Sequence, residues 1–591
     1  MRTKSYFVLI LLTFPIFTMN AQEPFVRSLT YSRITSGLTQ PQFKSGRTDF
    51  AMADMNLDGH VDILTIGDHG SPGTDQNGIM IWLGDGKGNF TLHKNGNFGY
   101  GGIATGDVNN DGLPDVAYGM HHNYSGIPFG DQLIEVALGD GTGTNWTPWD
   151  FGLASAGEDW GMFGTALADF NNDGLLDLVS VSFGCCNGVQ VYLNQGDGSW
   201  VHSFGIKGGN SDLNTETGDF NKDGYMDFVA TIENGLVYFG DGTGDFILHD
   251  TGLPVPSGWM LSGVSVGDVD KDGADDISFV NSEGGLDVYH WSAGQSAWLS
   301  LSGNLPTTGD FQFTQLADMN TDGKVDLLAY GKKLMQIWLS NSNGDWMLAT
   351  SFETPGQMGN GRALRSYADL DHNGYPDIVL LTQEGTWITN KNNLYVYAEN
   401  SPAVELWLLP QFPAGGERFY AQSVRMIRWS AQVPLDIYAT VTIYFSQNGP
   451  DGPWVTIAEQ LPNNGLYQWN IPEAASDNCY LKYDLITENE TYSFVQVNPF
   501  SILGPVTLND QHTPLINNSS DFFWPNPAHD FIYWPKELKV HRLMLFDPTG
   551  RMILELKSPD QNIKLSGLVN GTYYYQAETN QSLFTGKLIK L

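Results

Sequence analysis

Residues 219–227 read DFNKDGYMD, with acidic or amide side chains at positions 1, 3, 5 and 9 and glycine at position 6. The frame recurs as DMNLDGHVD from Asp54, DVNNDGLPD from Asp107, DFNNDGLLD from Asp169, DVDKDGADD from Asp268, DMNTDGKVD from Asp318 and DLDHNGYPD from Asp369. Successive starts lie 53, 62, 50, 49, 50 and 51 residues apart, a period that marks a repeat architecture. Oxygen-bearing side chains at positions 1, 3 and 5 of a tight loop converge on one point. Glycine at position 6 lets the chain turn back, and the carboxylate at position 9 closes the cage. Hard oxygen ligands suit Ca2+ better than zinc or copper, which favour nitrogen and sulfur. A helix–loop–helix calcium site would carry Glu at position 12 between helices. Here the flanks, such as residues 50–53, 61–66 and 175–181, read as strands.

The metal-ligating candidates are therefore Asp54, Asn56, Asp58 and Asp62; Asp107, Asn109, Asp111 and Asp115; Asp169, Asn171, Asp173 and Asp177; and Asp219, Asn221, Asp223 and Asp227. The last three loops add Asp268, Asp270, Asp272 and Asp276; Asp318, Asn320, Asp322 and Asp326; and Asp369, Asp371, Asn373 and Asp377. Crowded carboxylates without a cation would repel one another and hold their protons to higher pH. The whole chain, with 66 acidic against 29 basic residues, has a formal charge of −37. Seven divalent ions would bring it to −23. So acidic a chain lacks the basic face that nucleic-acid binding needs.

Working outward from each motif, a second shared segment follows. It reads LGDGKGNF to Phe90, LGDGTGTNW to Trp146, LNQGDGSW to Trp200, FGDGTGDF to Phe246 and LSNSNGDW to Trp346. The fifth copy, over residues 289–298, is degenerate, and the seventh keeps only residues 395–400. Each repeat then reads strand, acidic loop, strand, variable loop, strand, glycine-rich turn, strand, which is the content of one propeller blade. Glycine at 68 of 591 residues and 13% aromatics fit short strands joined by tight turns. Seven blades closed in a ring would remove exposed sheet edges, with residues 28–34 completing the last blade.

These repeats resemble the FG-GAP/VCBS family, the calcium-loop propeller repeats also found in integrin alpha chains, over residues 25–400. The resemblance implies up to seven structural Ca2+ ions in loops between the first two strands of each blade. It also implies that the opposite face is free for recognition. On that face the long connections are residues 68–78, 120–131, 150–164, 183–188 and 251–263. Long loops on a rigid ring are where function usually resides. His121, His122, Asn123, Tyr124, Trp160, Phe163, Cys185, Cys186 and Trp259 are the candidate ligand-binding residues. Their aromatic, amide and imidazole groups suit sugar faces or peptide side chains, and the same aromatics would also serve to pack loops against blades. The adjacent Cys185 and Cys186 form either a strained eight-membered disulfide ring or two free thiols.

The remaining segments are organised around the propeller. Residues 1–21 read as a signal peptide, with Arg2 and Lys4 before an apolar run too short to span a bilayer. Residues 401–506 resemble an immunoglobulin-like or fibronectin III-like β-sandwich, with strands expected at 426–431, 441–446, 454–458 and 465–470 and the simplest role of a spacer. Residues 507–520 read as a linker. Residues 521–591 resemble the type A sorting domain of the type IX secretion system, carried by Pro525-Asn526-Pro527, residues 543–547 with Gly550-Arg551, and residues 565–568, 571–575 and 587–591. That resemblance implies export by the type IX machinery to the medium or the cell surface.

The expectation is an all-β, secreted or surface-displayed monomer with no transmembrane segment, binding an extracellular glycan or protein for adhesion or nutrient capture. The sequence holds no HExxH, Walker loop or dinucleotide fingerprint, and no catalytic residue is assigned. The alternatives are a polysaccharide lyase or hydrolase on the same scaffold and a purely structural surface protein.

Overall fold

The computed structural model describes residues 29–505 and 531–590 apart from short stretches within them, among them 125–128, 159–160, 183–187 and 255–261. Residues 1–28, which include the expected signal peptide, and the expected linker lie outside the described residues, as do Trp160, Cys185, Cys186 and Trp259. Every regular element described is a β-strand, and no helix is long and apolar enough to cross a membrane among the described residues. The chain divides into two compact units, 1–505 and 506–591.

The first unit begins with seven consecutive sheets. Six are four-stranded antiparallel meanders, the strand content of propeller blades. The first runs Phe50–Ala53, Asp62–Ile66, Ile79–Gly84 and Phe90–Asn95. Its acidic motif fills the turn between the first two strands, and its glycine-rich segment fills the turn between the last two. The seventh sheet takes its outer strand from the other end of the chain: Tyr31–Ile34 pairs with Lys391–Glu399, Tyr31 opposite Glu399.

Apolar side chains alternate to both faces of these strands, so each sheet must bury two faces. Neighbouring sheets do this together. One core joins Phe50, Ile63 and Trp82 of the first sheet to Val379, Leu381 and Val396 of the seventh, and the other cores join successive sheets in the same way. The first strand of each sheet lies against the first strand of the next, and Ala363–Arg365 of the seventh lies against Phe50–Ala53. The aromatic that ends each glycine-rich segment is a wedge in these cores. Phe90, Trp146, Trp200, Phe246, Trp298 and Trp346 are all buried. Trp200 Nε1 donates to Trp149 O at 2.7 Å and Trp298 Nε1 to His249 O at 2.7 Å, which satisfies the polar end of each wedge.

From Trp407 onward two further sheets share one core. Trp407–Phe412, Val424–Gln432 and Leu466–Asn470 form the first. The second has six strands, centred on Ala439–Ser446 and Ser476–Thr487. Ile427, Trp429, Val441, Ile443, Trp469, Leu481, Tyr483 and Phe500 fill the space between them. Cys479 is a buried free thiol in the same core.

The second unit has its own core of Ile532, Leu543, Leu545, Tyr575, Ala577 and Leu588. Its four-stranded sheet places Val540–Phe546 between Met552–Lys557 and Gly571–Thr579, with Leu583–Lys590 at the edge.

Candidate metal centres

The seven acidic loops are built alike. In the first, Asp54 leaves the strand Phe50–Ala53 and its carboxylate accepts from the backbone N–H of Asp58 at 3.1 Å and of Gly59 at 2.9 Å. The same pair of bonds, from residues 5 and 6 to the carboxylate of residue 1, occurs in the other six. The side chain at position 5 accepts from the N–H at position 7 in all seven. The aspartate at position 9 reaches back to the N–H at position 2, at 2.9 Å for Asp62 and Met55. In six loops its other oxygen accepts from the third strand of the sheet, as Gly84 N does at 2.9 Å. The carboxylate that closes the loop thus also pins it to the sheet.

The backbone is bent at two points to allow this. Glycine at position 6 has φ between 78° and 91° in all seven loops. Position 4 is also left-handed although no glycine stands there: Leu57, Asn110, Asn172, Lys222, Lys271, Thr321 and His372 have φ between 54° and 60°. That conformation costs roughly 1–2 kcal/mol for an L-residue, and its recurrence shows that the loop geometry overrides local preference.

Burial raises the carboxylates at positions 1 and 9 of these loops. Asp169 is pushed up to about 6, Asp115 and Asp318 to about 7, and Asp62 and Asp268 to about 8. Asp177, Asp227, Asp276, Asp326 and Asp377 rise well above the usual carboxylate range, by burial first and by neighbouring aspartates after it. Such clusters could hold metal ions. Asp268, Asp270 and Asp276 each place an oxygen within 4.8 Å of the others, as do Asp369, Asp371 and Asp377. A third group joins Asp270 and Asp272 to His290. The donor set is dominated by carboxylate and amide oxygens, which fits a hard divalent ion.

The region after Trp407 differs from the spacer expected of it, because it lies on the acidic loops. Asn464 donates to Asp54 Oδ2 at 3.1 Å. Gln468 accepts from Asp107 N at 3.0 Å and donates to Asp107 O at 2.8 Å. Val424 N donates to Asp169 Oδ2 at 2.8 Å, and Arg425 Nη2 to Gly224 O at 2.7 Å. Gly273 packs so closely on Gly416 that a Cβ there would sit 2.5 Å from its carbonyl carbon. Gln411 donates to Asp318 Oδ2 at 3.3 Å, and Gln432 Nε2 to Asn373 O at 2.7 Å. All seven loops are therefore touched. The strand Val424–Gln432 supplies three of these contacts and buries Arg425 beside Asp169, Asp219 and Asp275.

A second buried arginine links sheets across the ring. Arg365 of the seventh sheet lies 3.1 Å from Asp49, just before the first sheet, and 3.5 Å from Glu216 in the fourth. Burial raises both carboxyls, and the Arg365 guanidinium opposes that rise. The guanidinium of Arg428 sits 5.7 Å from the Tyr367 ring.

On the long connections, the described candidates separate into two kinds. Tyr124 and Phe163 are buried. Tyr124 donates to Gly99 O at 2.9 Å, and Phe163 packs edge-on to Tyr100 at 5.0 Å. They pack loops. His121 lies between Tyr100, at 4.9 Å, and Phe163, at 5.8 Å. His122 and Asn123 are exposed, with the His122 ring 4.5 Å from that of Tyr124. Two groups of residues escaped the sequence reading. The loop-covering side chains lie up to 410 positions from their partners, beyond any local pattern. His290 stands where register, not motif, reveals it.

Comparison with known proteins places the repeats and the tail. The family model of the FG-GAP-like repeat matches residues 54–118, 169–230 and 318–380, and that of the secretion system C-terminal sorting domain matches 523–591. No curated protein matches. Among solved structures, an Agrocybe aegerita lectin described as recognising non-reducing terminal N-acetylglucosamine is 18% identical, covering 52% of this chain and 81% of its own, with a TM-score of 0.35. An ancestral GH74 enzyme is 10% identical, covering 94% and 77%, with a TM-score of 0.35. Fibronectin(III)-like modules of Clostridium thermocellum CbhA are 14% identical, covering 31% and 94%, with a TM-score of 0.13. The chain is an exported protein, secreted or displayed at the cell surface, that carries FG-GAP-like repeats and ends in a secretion system C-terminal sorting domain.

Proposed function

We propose that this is a calcium-stabilised seven-bladed β-propeller capped by an immunoglobulin-like or fibronectin III-like sandwich, which binds an extracellular glycan or protein without catalysis. In this reading Ca2+ is held at positions 1, 3, 5 and 9 of each loop and neutralises carboxylates that burial would otherwise keep protonated. The ions are structural: they fasten the first hairpin of each blade and the sandwich that rests on it.

One observation carries the reading. The sandwich covers the loop face, so the face bearing the long connections is the one left to meet a partner, and His122 and Asn123 are exposed there. An exposed amide beside an exposed imidazole, with the buried Tyr124 ring holding the imidazole from behind, matches the hydrogen-bonding edge of a sugar. The type IX machinery would deliver the protein through its sorting domain. A glycan array run with the full-length protein in calcium and in chelator tests the proposal. Binding in calcium that His122→Ala/Asn123→Ala abolishes is the expected result. Binding that survives the double substitution would move the site elsewhere.

A further inference from the structure

The fifth loop differs from the other six in two independent ways. First, it alone carries aspartate at all four ligand positions: Asp268, Asp270, Asp272 and Asp276. In the five loops with asparagine at position 3, the amide donates to the carboxylate at position 5, between 2.8 and 3.3 Å. Asp270 has no N–H to give.

Second, the neighbouring strand supplies a nitrogen there. The tenth residue of each motif pairs with a residue of the third strand: Ile63 with Trp82, Val116 with Ala137, Leu178 with Tyr192, Phe228 with Tyr238, Ile277 with Tyr289, Leu327 with Trp338 and Ile378 with Tyr397. The next residue along that strand is Leu83, Leu138, Leu193, Phe239, Leu339 or Ala398 in six sheets, and His290 in the fifth. Its Nδ1 lies 2.9 Å from Asp270 Oδ2. Asp270, Asp272 and His290 each offer a donor atom within 4.8 Å of the others, the one such group with an imidazole among the described residues. Two ligands about 2.1 Å from one ion and at right angles to each other, as in octahedral coordination, lie about 3 Å apart.

An imidazole nitrogen with two carboxylates is a donor set for borderline ions such as Zn2+ and Co2+, whereas Ca2+ prefers oxygen alone. We propose that the fifth loop, alone of the seven, selects a borderline divalent transition ion, held by His290 Nδ1 and the carboxylates of Asp270 and Asp272. The inference rests on the reading that the loops are cation sites. It adds that they are of two chemical classes.

The test uses the full-length protein, stripped with chelator and returned to millimolar Ca2+, with Co2+ as a spectroscopic probe. One equivalent of Co2+ should bind and give visible d–d absorption. His290→Leu, the residue found at four of the six equivalent positions, should weaken that site at least tenfold and keep the calcium-induced rise in melting temperature. Asp270→Asn, which restores the asparagine of five other loops, should weaken the cobalt site likewise and covers the case in which the first variant does not fold. His60→Leu/His372→Leu, which removes the other close imidazole pair (2.8 Å between ring nitrogens), should leave the cobalt site intact. Cobalt binding retained in His290→Leu overturns the proposal. So does a wild type that responds to Ca2+ but takes no Co2+, for His290 and Asp270 are then an ion pair only. A chain indifferent to both ions would instead defeat the calcium reading beneath it.

Discussion

The two faces of the ring of sheets were made under opposite constraints. The acidic face repeats one hydrogen-bond pattern seven times, down to a left-handed residue at position 4, and each copy is met by the domain that follows. The other face shows no such recurring pattern among the described residues. Its connections range from Gly331–Leu334, where two strands turn directly into one another, to the 15 residues of 150–164. A surface that must hold charge and carry a second domain tolerates little variation. A surface under no such constraint is free to vary in length and chemistry.

The sharpest way to break this comparison is to remove the cation. With affinities of roughly 10⁻⁴ to 10⁻³ M, millimolar Ca2+ contributes about 0.4–1.4 kcal/mol at each loop, hence about 2–8 kcal/mol over the six oxygen-only loops. Calorimetry should show a large drop in melting temperature in chelator, and coincident melting curves would remove the ions from the account. Next in size is Arg425→Met. It strands Asp169, Asp219 and Asp275 without their buried cation, at a cost of about 3–5 kcal/mol. Denaturant unfolding should read that loss, and limited proteolysis should cut the chain near the start of the covering domain. A variant as stable as wild type would mean that the docking is incidental.

The dependence on pH separates the metal-free state from the bound one. Unfolded aspartates ionise near 4, whereas in the metal-free fold Asp169, Asp115, Asp318, Asp62 and Asp268 hold their protons up to about 6–8. Their raised values favour the fold fully below pH ~4, and that contribution is lost as pH climbs through about 6–8. Melting temperature in chelator should therefore fall from pH 5 to pH 8.5, and Ca2+ should flatten or reverse the slope. A rising slope in chelator would contradict the burial of these groups. Asp223→Ala is a smaller change. It should remove one calcium equivalent and about 0.4–1.4 kcal/mol of calcium-dependent stability, as isothermal titration would register. Smallest of all, His122→Ala/Asn123→Ala on the other face should stay within about 0.5 kcal/mol of wild type while altering ligand binding. A large destabilisation would make those residues part of the scaffold.

What could be read from the sequence follows the same division. The oxygen-bearing positions 1, 3, 5 and 9 and the glycine at 6 sit within nine residues of one another, so spacing alone announces the loops. Strand text after Trp407 was legible too, as in Val424–Gln432 and Ala439–Ser446. Its docking was not, because Val424 N and Asp169 Oδ2 meet across 255 positions and nothing in a valine announces a backbone donor. Tyr124 and Phe163 were legible as aromatics on a long connection, but whether such a ring packs inward or faces solvent depends on neighbours such as Gly99 and Tyr100. His290 is silent in the motif and speaks only once pairing register sets it beside Asp270.

The strand Tyr31–Ile34 pairs with Lys391–Glu399, and this has a consequence for biogenesis. The earliest strand to emerge during synthesis is among the latest to be used, since its partner is made some 360 residues afterwards. Until then the nascent chain is an open arc with two raw sheet edges, the kind of surface that invites pairing with other chains. A chain that must leave the cell gains from this delay. It stays unlocked until residues 391–399 have been made, and it closes only when these two strands meet.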